Sequence, residues 1–129
     1  NDLLNAIDID LTGLSGAEGW NLPAFNASCL GKWSIVLNAT SHLDWANDTN
    51  SILVEPDKAE PCYDGKFFQE GSPFNQGNIF AWDGDVVSQA MDIAVSKKGQ
   101  NNSEGEKLKD KFSYSRSVDR LLKGIEESV

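Results

Sequence analysis

An α+β domain is what this sequence predicts: a two-layer sandwich with a mainly antiparallel sheet and two helices on one face. Three observations lead there. Short β-branched and aromatic runs, bounded by Gly, Pro and Asn/Asp, fill the first part of the chain. One wide apolar stripe at helical spacing follows at 85–98, and a second stripe closes the chain. Strands first and helices later is the pattern of layered α+β proteins. The alternative arrangement is a β-sandwich with peripheral helices. At 129 residues, 40% of them hydrophobic and 24% charged, the chain reads as one domain spanning 1–129.

The elements follow in order. In "DLLNAIDIDL", Ile7, Ile9 and Leu11 alternate with Asp8 and Asp10, which favours a half-buried strand over a helical turn. "TGLSGAEGW" breaks it with three glycines, and the residues up to 31 mix short apolar pieces with turn formers. "KWSIVLNA" is a strand with Trp33, Ile35 and Leu37 on one face, and "SILVEP" is another, stopped by Pro56. "TSHLDWANDTN" between them is polar enough for a loop. "GKFFQEGSP" and "GNIFAW" read as short strands, each after a glycine turn. In 85–98, Val86, Val87, Ala90, Met91, Ile93 and Ala94 form the helical stripe; Asp83 or Asp85 caps it and Gly99 ends it. "QNNSEGE" is an exposed linker. "KFSYSR" reads as a last strand, turning at Ser117 into a helix whose buried face is Val118, Leu121, Leu122, Ile125 and Val129.

The charge of −9 is uneven. Residues 1–96 hold 14 Asp/Glu against 3 Lys/Arg, while 97–129 hold 6 against 8. An acidic body repels phosphate backbones, so no nucleic-acid partner is expected. No apolar run nears the roughly 20 residues of a transmembrane span. The chain opens at Asn1 without an initiator methionine, which fits a removed leader, a trimmed chain, or a piece of a larger assembly. No glycine-rich phosphate loop occurs, and two cysteines with one histidine are too few for a structural zinc site, so no cofactor and no metal are expected.

Four tripeptides match the N-glycosylation acceptor, at Asn26, Asn38, Asn47 and Asn101. Eleven Asn and 16 Ser/Thr in the chain give a chance expectation of about 1.4, so four is a modest excess. Cys29 and Cys62 would close a loop of 34 residues if joined, worth about 3.8 kcal/mol on the chain-entropy model. Sequons and a cysteine pair both point to an oxidising, extracellular setting.

Catalytic chemistry is sparse. His42 is the only histidine, so any triad must use it, yet its neighbours Ser41 and Asp44 are too close in sequence to form one; it reads as a surface residue. "WDGD" sets Asp83 and Asp85 beside Trp82, which suits a glycosidase-like acid pair, a weak calcium loop, or simply a turn and helix cap. Trp45 sits in the polar loop, either folded back on the core or exposed for a sugar ring. Trp45, Trp82, Asp83 and Asp85 are therefore the candidate binding residues, with no catalytic residue assigned.

From Cys62 to Phe74, "CYDGKFF" and "GSPF" ahead of a helical segment resemble small secreted fungal proteins of the effector and killer-toxin-like type. Cys62, Phe67, Ser72 and Pro73 follow that order, although the cysteine after the Ser-Pro is missing. The resemblance implies a two-layer α+β sandwich with a non-catalytic role at a host or competitor cell. The expectation is thus a secreted, glycosylated, effector- or toxin-like protein that binds a host or competitor-cell protein or a surface glycan. A carbohydrate-binding module and a small hydrolase with paired carboxylates are the alternatives.

Overall fold

The strand β2, Trp33–Leu37, is buried at all five positions. A strand with no polar face needs cover on both sides, which is the situation of a parallel sheet inside layers of helix. The computed structural model, which describes residues 2–74 and 77–128, has that arrangement. β2 lies between β1 (Ile9–Gly13) and β3 (Ile52–Val54), and both pairings are parallel. Ile9 stands opposite Trp33, and Ile35, Val36 and Leu37 oppose Ile52, Leu53 and Val54. The register of β1 slips between Asp10 and Gly13.

This overturns the expected mainly antiparallel sheet. Among the described residues the antiparallel part is a small separate ribbon, β4 (Lys58–Pro61) with β5 (Asn78–Ala81). The helices do not share one face either. Trp33, Ile35 and Leu37, with Ile52 and Val54, meet Val87, Ala90 and Ala94 of the helix α3 (Gly84–Lys97). Val36 points the other way, into a second core with Ala24, Trp45 and Leu108. The result is a mixed α/β fold with helices on both sides of the parallel strands.

Parallel neighbours need a crossover, and α2 (Leu22–Cys29) supplies it between β1 and β2. Its start is well specified. Pro23 sits in the first turn, and Asn21 holds the left-handed conformation while its side chain accepts from the Ala24 amide. "DLLNAIDIDL" divides into a short helix, α1 (Asp2–Ala6), and then β1.

Two expected strands are absent. In "GKFFQEGSP", Asp64 Oδ1 accepts the amides of Lys66, Phe67 and Phe68 at 2.8, 2.8 and 2.9 Å, which curls the backbone into a turn and removes those donors from any ladder. In "KFSYSR", Ser113 rather than Ser117 is the N-cap, so Tyr114 already belongs to the final helix, α6 (Tyr114–Glu127). The supposed linker is also structured. Asn102 caps α4 (Ser103–Glu106) and is itself 1% exposed, its amide donating to the carbonyls of Lys32 and Asn50. A short α5 (Leu108–Lys111) follows.

The apolar stripe of α6 was expected to be buried. Leu121, Leu122 and Ile125 are instead 64, 52 and 52% exposed, and none of the described residues of the helix is buried. Val129 lies outside the described residues. Among the described residues no helix is long and apolar enough to cross a membrane.

Candidate functional site at the carboxyl edge of the parallel strands

Parallel strands end together, so the segments that leave β1, β2 and β3 gather at one edge of the sheet. In open α/β sheets that edge is where ligands bind. Here it holds the β1–α2 loop (residues 14–21), the 3-10 turn Thr40–Asp44 after β2, and Glu55 after β3. Asn38 closes the gap between the last two, its amide donating to Glu55 Oε1 at 2.7 Å.

Backbone strain concentrates in the same place. Asn21 and Thr40 are the two non-glycine residues with positive φ among those described, at 57° and 56°. Asparagine tolerates the left-handed region, and Asn21 is further held by donating to the Thr12 carbonyl at 2.8 Å. Thr40 is β-branched and has no such tolerance, so its conformation costs on the order of 1–3 kcal/mol.

Next to Thr40 lie polar atoms without protein partners. Thr40 Oγ1, Ser41 Oγ and His42 Nε2 are buried and unpaired. His42 is 0% exposed, which corrects its reading as a surface residue; the 3-10 turn rolls its ring inward against Trp45. Its Nδ1 lies 2.9 Å from the Leu37 carbonyl, which can only accept, so Nδ1 carries the proton. Nε2 is then a bare acceptor. Burial pushes the ring below its ordinary value of 6.5, and the backbone acceptor at Leu37 and the carboxylate of Glu18 only partly oppose that. The imidazole is neutral at physiological pH.

Glu18 thus lies within electrostatic reach of His42, from the neighbouring loop. Two residues on, Trp20 packs edge-on against Phe25 and Phe112, with ring centroids 5.5 and 5.1 Å away. The start of α2 contributes little for an anion. Pro23 has no amide hydrogen, and the amides of Ala24 and Phe25 are taken by Asn21. What remains is rich in acceptors and hydroxyls, the complement of a ligand that carries hydroxyl groups.

The residues singled out from the sequence divide around this edge. Trp45 is 1% exposed, its indole N–H bonded to the Trp20 carbonyl at 3.0 Å, so it is core and cannot stack on a sugar. Trp82 is 43% exposed and donates to the Leu14 carbonyl at 2.9 Å, which places it on the rim of the β1–α2 loop. Asp83 is the N-cap of α3, accepting from the amides of Asp85 and Val86, and Asp85 stands exposed in the first turn. The Trp-Asp-Gly-Asp stretch is therefore a strand end and a helix cap. The ribbon that bears Trp82 is locked to the same loop at Gly16, whose carbonyl accepts from Phe80 N; a Cβ at Gly16 would run into the Phe80 backbone.

Cys29 and Cys62 are both free thiols, so the expected clasp is not formed. Cys29 ends α2 and packs on the second core, where burial raises its thiol above the usual value; Cys62 lies just past β4. Asn26, Asn47 and Asn101 are exposed, and Asn38 is half-buried. Asn47 Oδ1 accepts from both the amide and the hydroxyl of Thr49, at 2.9 and 2.6 Å, whereas Ser28 of the Asn26 sequon is fully buried.

Sequence reasoning missed Glu18, Thr40, Ser41 and His42 as a group. The available signal was the parallel topology, and only the fold exposes that. Compared with known proteins, the chain matches no family model, no curated protein and no solved structure.

Proposed function

We propose that the protein binds a small hydroxyl-rich ligand of carbohydrate type at the carboxyl edge of its parallel strands. The observation that carries this is the trio of buried, unpaired polar atoms on Thr40, Ser41 and His42, within reach of Glu18. An unsatisfied buried acceptor costs about 1–3 kcal/mol, and such exceptions call for an explanation. Ligand hydroxyls would donate to the half-exposed Glu18, and the Thr40–Asp44 turn would have to open to present His42 Nε2 as an acceptor and the Thr40 and Ser41 hydroxyls as either, since all three atoms are buried in the unliganded chain. The role is binding, with no catalytic residue assigned. The four sequons support an extracellular setting for this role, with Asn47 as the best-presented acceptor.

Titrating the isotope-labelled chain with a panel of monosaccharides and sugar phosphates tests it. The expected shifts fall on amides 14–21 and 38–44 and on the His42 ring nitrogens, and Glu18→Gln abolishes them. A ligand that moves only the Trp82–Asp85 signals, or none that moves the His42 ring, overturns the proposal.

A second reading rests on a different observation. Tyr63, Phe67 and Phe74 are 54, 73 and 67% exposed on the turn-rich segment after β4. Such a display of aromatics suits a protein partner at a host or competitor cell, as in effector-like proteins. Replacing Phe67 and Phe74 with Ser should abolish binding to that cell surface without changing sugar titrations.

A further inference from the structure

We propose that a recess beside the edge strand β1 is a second ligand site, which takes a small primary ammonium with an apolar body and sets its charge against Asp10. The recess encloses about 330 Å³, at the small end of ligand cavities. Leu3 and Leu4 of α1, Ile7 after it and Pro23 of α2 supply its apolar walls, and Asp10 and Thr12 of β1 supply its polar side.

Asp10 is the one carboxylate buried among the described residues, at 4% exposure. Thr12 holds it against the recess. The Thr12 amide donates to Asp10 Oδ2 at 3.2 Å, and the Thr12 hydroxyl donates to Oδ1 at 2.9 Å and Oδ2 at 3.1 Å. These bonds sit where the register of β1 slips, and an asparagine would accept them without a charge to bury. The charge itself has no answer within the chain. Among the described residues no ion pair includes Asp10. Lys98 and Lys32, which bond to residues just before β1, are engaged there, with Asp8 at 3.3 Å and with the Asn5 carbonyl at 3.0 Å. The facing helix α2 has no charged residue. Burial accordingly holds the carboxyl above its ordinary value of 3.8, despite the donors on Thr12 and Ser34. A cation from outside is what a buried carboxylate of this kind lacks.

The same details select the ligand. Oδ2 already takes two donors and Oδ1 one, so the remaining room suits a point donor such as an ammonium over the paired donors of a guanidinium. The walls are aliphatic, and Leu3 is 78% exposed, which leaves apolar surface for the body of the ligand. Entry requires α1 to swing outward, and little opposes that, since none of its described residues is buried.

Titrating the isotope-labelled chain at neutral pH with phenethylammonium, 2-phenylethanol and phenylacetate, which differ chiefly in their polar end, tests the proposal. Phenethylammonium should shift amides 3–12 and the Asp10 carboxyl carbon. The alcohol should bind roughly 10-fold or more weakly, and the acid not at all. Asp10→Asn should erase the preference for the ammonium while the alcohol still binds. If that variant fails to fold, the ranking on the wild-type chain decides alone. An alcohol that binds as tightly as the ammonium reduces the recess to an apolar hollow and overturns the proposal. So does a preference for the ammonium that survives Asp10→Asn, a chain that responds to none of the three, or a response confined to amides 14–21 and 38–44, at the edge proposed for carbohydrate.

Discussion

Strand β2 buries all five of its residues, while α6, with an apolar stripe visible in the sequence, buries none. Both segments are apolar enough to be read from the sequence. What separates them is cover. β2 has α3 on one side and α2 with Trp45 on the other. α6 has its Ser113 cap and its own backbone ladder, and among the described residues none of its side chains is buried. An amphipathic pattern thus states that a face needs a partner, and leaves open whether that partner is in the same chain.

The contrast can be broken most forcefully in the body. Trp45→Ala removes a buried ring that touches Phe25 and ties to the Trp20 carbonyl, and should cost about 3–5 kcal/mol in urea unfolding. A midpoint within experimental error of wild type would show that the second core does not hold the body together. Asn102→Ala comes next. It strips the amide donor from the Lys32 and Asn50 carbonyls and the cap from Gly105, for about 2–3 kcal/mol by the same assay.

Two buried titratable groups sharpen the comparison through pH. His42 is held below its ordinary value of 6.5 by burial, so its contribution is complete above about pH 6.5 and lost as pH falls toward the folded value. Asp10 has the opposite sign. Burial raises its carboxyl despite bonds from Thr12, so stability falls as pH rises from the ordinary carboxylate value to the folded one. Midpoints followed from pH 4 to 8 should show the His42 slope, and His42→Gln should flatten it. If the slope persists in that variant, another group carries it.

The smallest effect belongs to α6. Gly124→Ala should stabilise that helix locally by roughly 1 kcal/mol and slow its amide exchange, while leaving the body's midpoint in place. A shift of the global midpoint would mean α6 unfolds with the body.

The sequence was informative where signals are local. β2 and β3 were readable from "KWSIVLNA" and "SILVEP", β5 from "GNIFAW", and α3 from its stripe and its Asp83 cap. Pairing was not readable, because whether strands run parallel depends on the crossover, and α2 hid among turn residues. Its Asn-Leu-Pro start was the overlooked sign, a cap followed by Pro in the first turn. Val36 was the other clue, an apolar residue on the face that an antiparallel sheet would have given to water. The candidate site was the least legible part. Glu18 and His42 lie 24 positions apart in sequence and come within electrostatic reach of each other because β1 and β2 end side by side. The single histidine lies in a polar stretch that suits a surface position, and the fold turns it inward.

Trp82 has one further consequence. Its half-exposed indole is tethered to Leu14, the first residue of the loop that carries Glu18. Indole emission is sensitive to both hydration and hydrogen bonding, so the ligand binding proposed at this edge should register as a change in colour or intensity without any added dye. Trp33 and Trp45 are shielded in the interior, and Trp20→Phe would leave Trp82 as the reporter of that edge.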